Sequence, residues 1–249
     1  MEAFASITAF EWVLLCVAAV GIGVSKSGLS GISMVHVMVF AYVFGAMQST
    51  GVVLPMLIVG DICATIAFGR HANWSYVSKM LPPAMLGVTL GWLFMLRMDD
   101  AIYRPVIGGI ILALTVVQIV RLWRTSFLAS VPHSRWFALA MGILVGVTTM
   151  MANAAGPVFA IYLLSLSVPK MEFVGTGAWF FLLLNSLKLP YSYQMGLIRL
   201  ETLTINLVLI PLIPIGLLIG KAIVGCIPQK VFNTIILIFT AIAAIRLMI

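Results

Sequence analysis

Asp61 is the one carboxylate set deep in an apolar run, Leu54-Pro-Met-Leu-Ile-Val-Gly-Asp-Ile-Cys-Ala-Thr65. A second run, Leu182-Leu-Leu-Asn-Ser-Leu-Lys-Leu-Pro190, carries Asn185 and Lys188. Lys26 stands in the small-residue stretch Ser25-Lys-Ser-Gly-Leu-Ser-Gly31. Ionisable groups cost so much in hydrocarbon that they usually serve a function there. Asp61 can carry a proton, or it can be the fixed partner of a cation such as Lys26 or Lys188. Lys26 can attract an anion or snorkel to an interface. His36 and Gln48 read either as coupling groups or as hydrogen-bonded helix packers. No nucleophile elbow, His-Glu-x-x-His pair or P-loop is present, so no enzyme activity and no catalytic residue is expected. His36, His71 and His133 are scattered, and Cys16, Cys63 and Cys226 lack metal-ligand spacing. Neither a metal nor a cofactor is expected.

Two stretches of small residues could open a helix. The first offers Lys26, Ser27, Gly28, Ser30 and Gly31; the second offers Asn153, Ala154, Ala155 and Gly156, followed by Pro157. Unwound backbone in a membrane must find partners for its N–H and C=O groups in protein, water or substrate. Pro157 suits the first turn of a following helix, and free N–H groups at a helix start attract anions. Two such starts facing each other would cradle an anion. The alternative is that the small residues serve only close helix packing.

The surrounding chain is a membrane protein by composition. It has 249 residues, 63% hydrophobic and 8% charged, with a mean hydropathy of +1.18, against about a quarter charged in a soluble domain. The net charge of +7 reflects Lys and Arg between apolar segments rather than a nucleic-acid surface. No removable signal peptide is expected, because Glu2 and Glu11 precede or open the first apolar run.

The apolar runs fall at 10–24, 32–47, 52–68, 81–96 and 105–120, and again at 136–150, 157–168, 173–189, 203–219 and 231–248. The second set repeats the first: Gly51 answers Gly175, Asp61 answers Asn185, and Ile110–Leu122 answers Ile235–Leu247. Two halves, residues 1–125 and 126–249, are therefore expected, each with broken or re-entrant segments at its start. Such duplication marks secondary transporters. Five crossings per half would invert the second half, with both termini outside by the positive-inside rule. Four crossings would leave the halves parallel, with the termini inside. The inverted arrangement is preferred: an all-α integral membrane protein of two inverted repeats.

Several stretches resemble the TauE/SafE sulfite exporter family, also called the 4-toluenesulfonate uptake permeases. They are Ala155-Gly-Pro-Val-Phe-Ala-Ile-Tyr-Leu-Leu164, Pro169-Lys-Met-Glu-Phe-Val-Gly-Thr176 and Asn185-Ser-Leu-Lys-Leu-Pro190. The first half departs from the family pattern, with serines replacing glycines in 25–31 and His36 standing about where Val-Pro usually follows. The resemblance implies a multi-pass carrier of sulfite or organosulfonate in the bacterial inner membrane, coupled to the proton gradient. Its expected partners are the small anion, membrane lipid and a proton, with a homodimer as a further possibility and no nucleic acid. Trp74, Tyr162, Trp179, Tyr191 and Tyr193 are candidates to line a path for an aryl group. An anion channel and a non-transporting accessory subunit are the competing readings.

Overall fold

The computed structural model describes residues 7–29, 32–123, 135–166 and 168–223, and every regular element among them is helical. In chain order the α-helices are α1 Ala9–Lys26, α2 Ser33–Phe44, α3 Ala46–Phe68, α4 Trp74–Met95 and α5 Asp100–Trp123. They continue with α6 Arg135–Ala152, α7 Gly156–Ser165, α8 Lys170–Gln194, α9 Leu200–Leu209 and α10 Leu212–Ile223. A short 3-10 turn, Gly69–His71, follows α3.

The predicted segments from 10–24 to 173–189 each coincide with one helix. The predicted segment 203–219 does not. It is two helices, α9 and α10, meeting at a bend of 43°. Pro211 lies at that bend, where its missing N–H and its ring break the helical ladder. The predicted segment 231–248 lies outside the described residues.

Helices α1, α4 and α6, and α3 with its 3-10 turn, are long and apolar enough to cross a membrane, and the α9–α10 pair makes a fifth candidate. With 12 and 10 residues, α2 and α7 are too short to cross a core of about 30 Å alone. The outward faces are apolar: Phe10, Val13 and Val17 on α1, Ile66 on α3, and Leu86 and Phe94 on α4 are all exposed. Such a surface suits lipid rather than water.

Local signals set several helix starts. Thr8 and Glu11 form a capping box on α1, satisfying two amide groups reciprocally. Asn73 caps α4 by accepting from the Ser75 amide at 3.0 Å. The same residue ties this linker to the start of α8, donating from Nδ2 to Glu172 Oε1 at 2.7 Å and from its amide to Thr176 Oγ1 at 2.9 Å.

Three helix pairs build the interior. In the first, α3 and α8 run antiparallel: Gly51, near the start of α3, lies against Leu197 just past α8, and Gly175, near the start of α8, lies against Phe68 and Ala72. In the second, α4 and α6 run side by side in the same direction, so close that a Cβ on Gly146 would strike the Ala84 carbonyl. In the third, α1 and α10 do the same, with Gly216 against the Val20 carbonyl. One buried apolar cluster draws mainly on α4 to α8, and another joins α1 and α3 to α9 and α10. The polar residues collect between these two clusters.

Candidate functional site

Both small-residue stretches interrupt the helical ladder. In the first, α1 closes at Lys26 and α2 opens at Ser33, with Gly28 at φ 103°. In the second, α6 closes at Ala152 and α7 opens at Gly156, with Asn153 at φ 51°. This left-handed region is open to glycine and, among the other residues, best tolerated by Asn and Asp. Asn153 is held there from two sides. Its Nδ2 donates to the Thr50 carbonyl at 2.9 Å, and its Oδ1 accepts from Lys188 Nζ at 2.5 Å.

The first break is shorter than the sequence suggests. Ser25 and Lys26 complete the last turn of α1 instead of unwinding. Ser25 Oγ donates to the Ile22 carbonyl and Ser27 Oγ to the Val24 carbonyl, each at 2.7 Å. These hydroxyls serve their own helix, and Ser27 is not on the wall of the cavity described next. Ser30 and Gly31 lie outside the described residues.

A cavity, partly open to solvent, lies between the two breaks. Of the predicted residues, Lys26, Gly28, His36, Asp61, Asn153, Ala155, Gly156 and Asn185 line it. Ala154, Pro157 and Lys188 are buried but are not on its wall.

Polar bonds knit the wall together. Lys26 Nζ donates to Asp61 Oδ1 at 2.6 Å, and Asn185 Nδ2 donates to Asp61 Oδ2 at 2.7 Å. Lys26 also lies 5.3 Å from the centre of the Phe181 ring, within cation–π range. Lys188 donates to the Thr149 carbonyl at 2.9 Å and approaches Thr149 Oγ1 at 3.4 Å, besides its bond to Asn153. Three acceptors match the three N–H groups of an ammonium ion. Two groups differ from the rest: both ring nitrogens of His36 and Oδ1 of Asn185 are buried without a hydrogen-bond partner among the described residues.

Ser33, Thr149, Phe159, Phe173 and Phe181 also line the cavity and were not anticipated. Thr149 stands one turn before the second break, a position that could have flagged it. A lining Phe carries no such signal, since lipid-facing and cavity-facing Phe look alike in sequence. None of Trp74, Tyr162, Trp179, Tyr191 and Tyr193 lines the cavity. Trp74 packs on Trp179 at 5.2 Å, and Tyr191 meets Trp92 edge-on at 5.5 Å. Gln48 is bonded to the Leu197 carbonyl at 3.0 Å, as a helix packer would be. Among the described residues no group of three His, Cys, Asp or Glu side chains could hold a metal ion.

Apolar helices around an ion-paired cavity at two helix breaks mark a multi-pass membrane protein. The chain matches the sulfite exporter TauE/SafE family over residues 14–247, and it belongs to that family. Neither the curated proteins nor the solved structures give a match.

Proposed function

We propose that the protein carries a small sulfur oxyanion, sulfite or an organosulfonate, across the bacterial inner membrane by alternating access with proton coupling. Charge balance in the cavity is the observation that carries this reading. Two lysines, Lys26 and Lys188, stand at the two breaks, and Asp61 is the only buried carboxylate among the described residues. With both lysines protonated the interior is one negative charge short, and burying unbalanced charge is costly. A bound monoanion restores the balance.

The same arrangement supports coupling. Lys26 can face Asp61 or a substrate oxygen, and a proton on Asp61 removes its rival claim on the ammonium group. Proton and anion then favour each other's binding. The antiparallel α3–α8 pair supports two inverted halves, 1–125 and 126–249, that rock about the cavity.

The test is uptake by protein reconstituted in liposomes, with radiolabelled sulfite, thiosulfate, methanesulfonate and 4-toluenesulfonate under an imposed pH gradient. Accumulation above the external concentration excludes a channel. A purified, folded chain that moves none of these anions sinks the reading.

A further inference from the structure

We propose that His36 is a direct ligand of the transported anion and that, with Asn185, it selects an oxyanion bearing a hydroxyl group, such as hydrogensulfite. This rests on the carrier reading above and narrows its substrate. His36 sits in the first turn of α2, just past the first break, and is 1% exposed. It shares the cavity wall with Lys26 and Asp61. An imidazole always has at least one N–H to donate, and leaving it without an acceptor in a buried place costs stability. Unmet polar groups in a folded interior call for an explanation, and a ligand absent from the structure is one.

The other polar groups on the wall are engaged. Both Asp61 oxygens and both amide atoms of Asn153 have partners, and Ser25 bonds its own helix. Asn185 is oriented by Asp61, because only its Nδ2 can donate to that carboxylate, so its Oδ1 must face elsewhere. The two unmet groups make opposite demands. His36 needs an acceptor for its N–H, whereas Asn185 Oδ1 needs a donor. A sulfonate or a fully ionised oxyanion offers acceptors only and would set its oxygens against the amide oxygen. Hydrogensulfite offers S–O oxygens to His36 and Lys26, and its hydroxyl to Asn185.

The measurement is binding to purified protein in detergent, by calorimetry, of sulfite and of methanesulfonate under mildly acidic conditions where sulfite carries a proton. His36→Leu should weaken sulfite binding by about tenfold or more, while His36→Gln, which retains a donor, stays within several-fold of the parent. The melting temperature of ligand-free His36→Leu should hold or rise, since an unmet polar group has been removed. A well-folded leucine variant that binds sulfite as the parent does overturns the role of His36. If the leucine variant does not fold, His36→Ala, which has no side-chain donor, is read by the same criterion. Methanesulfonate, similar in shape but without a hydroxyl, should bind the parent more weakly than sulfite, and equal affinity overturns the selection for a hydroxyl. A parent protein that binds no sulfur oxyanion overturns the carrier reading itself, an outcome distinct from either of these.

Discussion

Asp61 and Asn185 share a hydrogen bond of 2.7 Å across 124 positions of chain, the spacing between the two proposed halves. In the proposed inverted repeat, corresponding residues would touch only close to the axis that exchanges the halves. The ends of the same two helices are tied alike. Gln48 bonds Leu197, and Asn73 bonds Glu172; Gln48 and Glu172 are 124 positions apart, as are Asn73 and Leu197. The two bonds join corresponding pairs of the proposed repeat, although Gln48 donates to a backbone carbonyl and Asn73 to a carboxylate.

An inverted pair places the α3–α4 linker and the α8–α9 linker on opposite sides of the membrane. With the native cysteines replaced, single cysteines at Arg70 and Arg199 should react with an impermeant maleimide from opposite faces. Labelling of both from one face would leave the halves parallel.

Asp61→Asn should keep anion exchange but lose the response to a pH gradient, because the amide cannot carry the proton. The variant also deprives Lys26 of its counter-ion. Lys26 keeps 14% of its side chain exposed, so the loss should fall below the about 3–5 kcal/mol of a fully stranded charge. Gradient-driven uptake beside a melting curve reads both effects. Normal pH-driven uptake ends the proton-carrier role, and a large drop in melting temperature alone points to a purely structural ion pair.

Lys188→Met removes a donor that Asn153 Oδ1 and Thr149 receive in the interior. The expected loss is about 1–3 kcal/mol, read as a lower melting temperature in detergent. An unchanged melting temperature would show that Lys188 does not hold the second break.

Gly146→Ala and Gly216→Ala each set a methyl group against a backbone carbonyl of the neighbouring helix. Each should cost about 1–3 kcal/mol. Gly109, in α5, has open space where a Cβ would stand, so Gly109→Ala should be neutral or gain about 0.5–1 kcal/mol. Melting curves of the three variants suffice, and an equal response from all three would refute the close-approach argument.

Gly156→Leu adds a bulky side chain at a position on the cavity wall. Sulfite binding should be abolished while the folded fraction, judged by gel filtration, stays intact. Undiminished binding in a folded variant would move the anion elsewhere.

Apolar segments, the two breaks and the central polar residues were legible because each violates or obeys a strong rule. Hydrocarbon demands unbroken apolar helices, so small-residue gaps and an embedded Asp61 or Lys188 stand out. The bend between α9 and α10 was missed because Leu, Ile and Val on both sides of Pro211 keep the hydropathy level. The fate of Ser27 was equally hidden, since a serine near a helix end can bond backward to its own turn or forward to a ligand. Which aromatic rings face the cavity depends on how the helices pack, and no local pattern reports that.

The two lysines also settle the sign of the field in the gap. A helix ends in partial negative charge and begins in partial positive charge, so two broken helices present two ends of each kind to the cavity. Lys26 lies in the last turn of α1, and Lys188 reaches from α8 to Thr149 in the last turn of α6. Each negative end thus has a lysine beside it, and Lys188 bonds a carbonyl of the α6 end directly. The starts of α2 and α7 have no acidic residue in their first turns. Of the four helix ends, the two positive ones are left without a charged partner in their first turns. With Asp61 neutralised by Lys26, two helix starts facing the gap would favour an anion over a metal cation or an ammonium compound.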